Sequence, residues 1–468
     1  MRALSIVLFS SALYTLALPS TPGECKPLSS LSFTYPLSTA KGLSAHIIFN
    51  NLTEPRGIRI DGQNNLLVIE RLKGMVSLTK RNDSTCVGWE KRVVISQADL
   101  EHGIEIGPIP GKKDKQYLYA TSQETLYRWE YDPKNAVIVG NSTILVYNMT
   151  NPGNFNDTNP NHVTRTLLLQ PDANQQSEYI IVSRGSAGNS DDGAADVNTG
   201  RAQIRRFPLT KKHIPAQGYS WNEGTILAWG VRNSVGIALS KDKKDLWGIE
   251  NGSDNVLWRG VDVHNDNPAE ELNRISLHEP ERIPNERKFY GYPYCFTTWN
   301  SSSVPRNWSQ PVFDLPTGAQ FSILPLGSQP DDAWCQNPKN SKPSRLLFQA
   351  HSAPLDFVFY DTSKYGSRNN DVGLTRNWDG DAFSAFHGSF NSNPPTGYSV
   401  VRIPWANDAP RASANSTKGY EQILYAPDKT KCPSQCIRPV ALAFGKQGEL
   451  YATSDETGEV FVIENRRH

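Results

Sequence analysis

The stretches "RGIRIDGQNNLLVIERLKGMVSL" from Arg56 and "VALAFGKQGELYATSDETGEVFVIEN" from Val440 share one design. An apolar strand is followed by a polar turn rich in Asp, Gly or Lys, a second strand, another turn and a third strand. Looser copies begin at Gly103, Arg165 and Pro354, and a sixth lies in "GVRNSVGIALSKDKKDLWGIENGSDN" from Gly230. Nothing with sustained helical periodicity interrupts them. Short strands with frequent turn signals at a repeating interval specify an all-β chain, and six meanders that cannot bury their faces alone specify a six-bladed β-propeller. The apolar stretch from Ala45 to Asn51 is expected to complete the last blade and close the ring. At 468 residues the length alone suggests two or three domains, but the repeat overrides that prior. A single propeller domain over 19–468 is expected, behind a leader at 1–18.

The spacing is uneven in two places. From Asn273 to Arg345 runs an insertion rich in Pro, Ser and aromatics, holding Cys295 and Cys335, which a disulfide would fix as a lid or rim. From Ser186 to Gly200, "SAGNSDDGAADVNTG" has no apolar pattern. Both are expected on a propeller face. Met1-Arg2 and the apolar run Ala3–Leu18 read as a short secretory h-region rather than a membrane span, so a secreted, extracellular protein is expected. Six cysteines then favour disulfides over free thiols. Pairing neighbours along the chain gives Cys25 with Cys86, Cys295 with Cys335, and Cys432 with Cys436. Sequons at Asn51, Asn82, Asn141, Asn148, Asn156, Asn300, Asn307 and Asn415 suit a glycoprotein. Asn251 also fits the pattern, in a loop where a glycan would obstruct the site proposed below. The net charge of +1, with no basic stripe or basic amphipathic helix, argues against nucleic-acid and membrane-surface partners.

Propeller sites form where the first strand of each blade and its preceding loop converge. Polar residues just before those strands are His102, His162, Arg232 with Asn233, His351 and Arg438. A single such His is more often structural than catalytic, but recurrence at equivalent places raises its weight. A ring of imidazoles and guanidiniums around one axis repels itself unless something anionic sits there, so the pattern predicts an anionic ligand.

All of these residues but His102 lie in segments that carry a resemblance. "HVTRTL", "GVRNSVG", "ENGSDN" followed by "EELNRI", "GYP", "HSAPL", "HGSFN" followed by "PTGY", and "RPV" resemble those of the sorbosone dehydrogenase-like quinoproteins. The form with this lid is similar to fungal secreted pyranose dehydrogenases dependent on pyrroloquinoline quinone, from about Pro55 to Asn465. The resemblance implies a six-bladed propeller related to soluble glucose dehydrogenase, holding the tricarboxylated quinone and one Ca²⁺.

On that resemblance, Arg232 and Arg438 offer guanidinium forks to the quinone carboxylates, and Asn233 a hydrogen bond to the same edge. The carbonyls of Gly252 and Ser253 would hold Ca²⁺, a hard cation that accepts backbone oxygens; a plain Asx turn is the competing reading of "NGSDN". Glu270 or Glu271 would brace that loop. His162 takes the position of the base that removes a sugar hydroxyl proton, with an imidazole near its ordinary pKa. Arg232 also serves the reaction by polarising the acceptor. His102, His351 and His387 are placed around sugar or cofactor. The expected activity is oxidation of a pyranose or 2-keto-aldose at the anomeric carbon. With no attached cytochrome after Arg467-His468, electrons are expected to go to a separate acceptor. Two other classes compete. A calcium-dependent propeller lactonase would use side-chain Glu, Asn and Asp ligands, against the cationic set found; a non-catalytic carbohydrate-binding propeller would repeat one aromatic pocket from blade to blade.

Overall fold

A computed structural model of the chain describes residues 23–27, 31–152, 162–210, 214–307, 309–365 and 372–466. The expected leader at 1–18 and the Asn156 sequon lie outside them. Six antiparallel meanders are arranged round an axis. Their innermost strands are Pro55–Ile60, Leu100–Ile109, Leu167–Pro171, Ser234–Leu239, Pro354–Phe359 and Pro439–Phe444, in blades 1 to 6. Each touches the next, and blade 6 touches blade 1, so the ring is closed.

Burial explains why these sequences make blades. The second strand of blade 1, Leu66–Glu70, is buried at every residue because neighbouring blades cover both of its faces. It therefore reads as an unbroken apolar run rather than as an alternating one. One apolar cluster fills each inter-blade interface. Leu67, Ile69, Ile104 and Leu118 join blades 1 and 2; Ile181, Ile204, Ile237 and Leu246 join blades 3 and 4; Ile58, Val68, Val440 and Val462 seal blade 6 to blade 1. The seal is completed by Leu43–Phe49, which pairs antiparallel with Glu459–Asn465, so the first and last parts of the fold share one sheet. Strand closure removes the exposed edge that an open array would present.

Blade 6 takes Leu43–Phe49 as its fourth strand, as expected, whereas blades 1 to 5 each have a fourth strand that the three-strand module did not predict, for example Val87–Ser96 and Val137–Tyr147. The latter is exposed along most of its length and carries little apolar signal. All three nearest-neighbour disulfides are present: Cys25–Cys86, Cys295–Cys335 and Cys432–Cys436. The first ties an added edge strand, Glu24–Lys26, to Val87–Ser96 of blade 1. The insertion starts after Ser276 rather than at Asn273, because Glu270–Ser276 is the third strand of blade 4 and Leu346–Phe348 its fourth. Its own core, Tyr292, Phe296, Phe313 and Phe321, packs with Trp258, Val261 and Ala194. The two excursions and the loop after the second strand of blade 4 thus form one lid. Among the described residues no helix is long and apolar enough to cross a membrane.

Candidate functional site

A cavity of about 290 Å³ opens under this lid, and all its walls come from blades 3, 4 and 5. His162 enters blade 3, Arg232 and Asn233 enter blade 4, and His351 lies just before the first strand of blade 5. Gly252 follows the second strand of blade 4. The structure brings these five sequence candidates to one cavity. It adds Asn189, Asp254, Glu270 and Asn391, all within segments already singled out but not chosen there, apart from Glu270 as a brace.

Arg232 is 4% exposed. Its guanidinium donates to the Asn189 carbonyl (3.2 Å), the Asn189 Oδ1 (2.8 Å) and the Asn251 carbonyl (3.1 Å), and faces Asp254 at 3.6 Å. Three of its five N–H groups are thereby committed, and the fork is held rigidly at the cavity wall. The neighbouring loop is fixed from behind. Glu270 accepts from the Gly252 amide (2.5 Å) and the Ala353 amide (3.3 Å), while Glu271 turns away to Thr297 and Asn273. Glu270 is therefore the brace. Burial pushes its carboxyl up to about 7.

The two cavity histidines are shifted in opposite directions. Both ring nitrogens of His351 face acceptors: Nε2 the His264 carbonyl at 2.5 Å and Nδ1 the Asp254 carboxylate at 3.4 Å. Burial opposes its charge, but those two acceptors and Glu270 outweigh burial and raise its pKa. Asp254 responds in the opposite sense: burial alone would raise it, and His351 with Arg232 brings it below the ordinary range. Each partner favours the charged form of the other.

His162 has Nδ1 at 2.9 Å from Ser186 Oγ and 3.1 Å from the Ser186 carbonyl. Since Ser186 Oγ donates its own proton to the Gly188 carbonyl (2.7 Å), it accepts from His162. Nδ1 carries the hydrogen, and Nε2 keeps a free lone pair. Burial, then Arg232, drives the imidazole down to about 3, so it is neutral throughout the physiological range. That corrects the expectation of an ordinary imidazole pKa. The backbone here is clamped by Arg165, which donates to the His162 carbonyl (2.7 Å), and by Asn151, whose Nδ2 reaches the carbonyls of Gly185 and Ser186. Gly185 allows the approach: a Cβ there would lie 2.6 Å from His162 Cβ and 2.9 Å from Asn233 Oδ1.

Four sequence candidates are not on the cavity wall. Arg438 folds back onto the carbonyls of His387 (3.3 Å) and Gly388 (2.9 Å) and the Nδ1 of His387 (3.0 Å). His387 passes on to Asp455 (2.8 Å), which also binds Arg56 (2.6 Å). His102 is 4% exposed with Nδ1 lacking a partner, and burial, then Arg56 and Arg59, holds its pKa well below the usual value. Ser253 is buried behind the loop, its hydroxyl on the Asn189 carbonyl (3.2 Å). Of the expected cationic set, only His162, Arg232 and His351 line this cavity. The cavity is of mixed charge, because Asp254 and Glu270 share it with Arg232 and His351. The charge argument against a lactonase is thereby lost.

A family model described as TrAA12-like matches residues 37–466. The chain belongs to this family. Within it, the chain is similar to a pyrroloquinoline quinone-dependent sugar dehydrogenase of Hypocrea jecorina (strain QM6a), 32% identical over 458 residues covering 97% of this chain and 95% of that protein. It is also 32% identical to a pyrroloquinoline quinone-dependent pyranose dehydrogenase of Coprinopsis cinerea, covering 95% of this chain and 56% of that longer protein. A calcium structure of the Trichoderma reesei family AA12 enzyme superposes with TM-score 0.78 at 32% identity, covering 93% of this chain and 99% of that one. The holo form of the Coprinopsis cinerea pyranose dehydrogenase quinone domain gives TM-score 0.75 at 31% identity, over 92% and 97%. A glucose dehydrogenase at 14% identity and TM-score 0.54 shares the fold.

The TrAA12-like site has the chemistry for an anionic quinone next to a hard cation. Arg232 and the His351 imidazolium supply positive charge, whereas Asp254, Glu270 and the Gly252 backbone supply oxygen. Among the described residues no three His, Cys, Asp or Glu side chains are grouped to hold a metal ion. A cation here has to take backbone or ligand oxygens, as hard cations do.

Proposed function

We infer that the chain is a quinoprotein sugar dehydrogenase that oxidises a pyranose or 2-keto-aldose at the anomeric carbon and hands electrons to a separate acceptor outside the cell. The observation that carries this reading is the pair of histidines brought to one cavity with Arg232, their pKa values driven in opposite directions. Neighbouring titratable groups with pKa values driven apart mark the division of labour in acid–base sites. His162, neutral with Nε2 free, is the base for the sugar hydroxyl proton. His351, cationic and tied to Asp254, contributes fixed positive charge for an anionic ligand.

Arg232 and Asn233 would hold pyrroloquinoline quinone, and the Gly252 and Ser253 carbonyls Ca²⁺. When bound, the quinone supplies the carbonyl carbon that accepts the hydride. Arg232 acts from a position already fixed by three hydrogen bonds, so it needs little reorganisation as charge develops. Arg438 acts indirectly, by holding the Gly388 carbonyl at the foot of the cavity rim. The names of the sugar-oxidising relatives support the same reaction class.

The test is titration of purified protein with pyrroloquinoline quinone and Ca²⁺, followed by dye reduction with sugars. Saturable binding that requires both, with sugar-dependent reduction, is the expected result. Absence of quinone binding with every divalent ion tried would overturn the assignment.

A further inference from the structure

Phe390 stands out among the cavity residues. It is 71% exposed, belongs to no apolar cluster and pairs with no other ring among the described residues. Unlike the other exposed large hydrophobic residues, it lines the cavity, where an aromatic ring open to solvent can take the apolar face of a ligand. Its loop, between Ala382–Phe386 and Ser399–Ile403 of blade 5, is also anchored on both sides of it.

On one side, the Ser389 amide donates to the Thr396 carbonyl (3.0 Å) and the Thr396 amide to Ser389 Oγ (3.0 Å). The Tyr398 hydroxyl donates to the Ser389 carbonyl. The Tyr398 ring packs over Gly388, whose φ of 96° and lack of Cβ permit that approach. On the other side, Asn391 Nδ2 donates to Asp254 Oδ1 (3.1 Å), the carboxylate paired with His351. The ring is therefore held over the outer end of a cavity whose inner wall is the 4% exposed Arg232.

We propose that Phe390 is the platform on which the C–H face of a pyranose ring rests while its hydroxyls address the polar wall, and so is a specificity-determining residue. The inference rests on the sugar dehydrogenase reading. A pyranose offers the matching chemistry: hydroxyls around its edge and an apolar face of ring C–H groups, against an aromatic face of negative potential. The bound cofactor belongs deeper, next to Arg232 and Gly252, which leaves the exposed ring for the substrate.

The variants Phe390→Ala, Phe390→Leu and Phe390→Trp test this in protein loaded with pyrroloquinoline quinone and Ca²⁺. With D-glucose and 2-keto-D-glucose, Phe390→Ala is expected to raise KM about tenfold, the change from leaving half a ring face wet, with kcat within about twofold. Phe390→Trp should retain the wild-type KM, and Phe390→Leu should fall between. Quinone affinity and thermal midpoint should match wild type in all three. An unchanged KM in Phe390→Ala, or a quinone affinity that falls with it, overturns the platform. Saturation-transfer NMR with D-glucose gives a readout without turnover: the ring protons should receive transfer from wild type and lose it with Phe390→Ala. If wild-type protein takes up no quinone, the dehydrogenase reading fails, while the NMR comparison still decides the role of Phe390.

Discussion

Gly185→Ala places one methyl group where the geometry leaves no room for it. The new Cβ would lie 2.6 Å from His162 Cβ, whereas ordinary contacts begin at 3.4 Å, and 2.9 Å from Asn233 Oδ1. Relief requires a displacement of about 1 Å. His162 Cβ moves only with its own backbone, so the His162 segment, tied by Asn151 to Gly185 and Ser186, has to shift and carry the imidazole with it, while the Asn233 amide turns aside. A misplacement of about 1 Å at a reacting group costs on the order of 10²-fold in turnover, and overpacking costs ~1–3 kcal/mol of stability. The assay is turnover per quinone-loaded molecule, with quinone affinity and thermal midpoint measured on the same preparations. Gly248→Ala serves as the control, since a Cβ there meets its nearest atom at 3.7 Å and should leave turnover unchanged. Wild-type turnover in Gly185→Ala would show that His162 is not held at the reacting position.

His162→Ala should lose ~10² to 10⁴-fold in turnover while quinone affinity survives; near-normal turnover removes His162 from the mechanism. Because burial and Arg232 hold His162 at about 3, wild-type activity should show no acid limb near pH 6.5. His351 has a raised pKa, so its imidazolium and the contact with Asp254 are present at low pH and lost as pH rises through that pKa. Activity should therefore fall on the alkaline side, and His351→Gln should abolish that limb in a pH–rate profile. Asn251 is 8% exposed and donates to the Pro354 carbonyl (2.8 Å), so glycopeptide mapping of protein from a eukaryotic secretory host should find it unmodified, with glycans confined to exposed sequons such as Asn51 and Asn415.

The repeat made the propeller legible because each meander carries its own apolar signal, and the clasp by Leu43–Phe49 follows from one unpaired apolar strand before the first module. The outer strands were not legible, since a strand such as Val137–Tyr147 faces water and has no pattern to keep. For the site, position before an inner strand found His162, Arg232, Asn233 and His351. The same rule also chose His102 and Arg438, because position along a module does not say which part of the ring a ligand occupies. Asn189 was hidden in a patternless excursion. It reaches the cavity only because the lid core, through Ala194 and Tyr292, folds that excursion over blade 4. Asp254 lay in plain view in "NGSDN", but its partner His351 is 97 residues further along, and sequence carries no mark of that contact.

The confinement of the cavity to blades 3, 4 and 5 has a counterpart on the other half of the ring. Six equivalent strand entrances, all polar and all unpaired, would leave an open wet channel with no preferred pose for an asymmetric ligand. Blades 1, 2 and 6 instead satisfy their charges among themselves and with His387 of blade 5. Arg56 binds Asp455, Asp455 binds His387, and His387 accepts from Arg438. Arg71 binds Glu101, and Arg59 binds Glu105. Asp455 sits far below the ordinary carboxylate range because His387 and Arg56 outweigh its burial. A charge already neutralised by hydrogen-bonded partners has little to offer a ligand, and removing it would leave a buried partner unpaired. The same module positions therefore serve two ends: in blades 3 to 5 they face a cavity, and in blades 1, 2 and 6 they close the seam where the chain's two ends meet. The link between the halves is Arg438, which belongs to the closed side yet holds the Gly388 carbonyl at the foot of the Phe390 loop. Through that contact the closed side anchors the start of the Phe390 loop beside the open one.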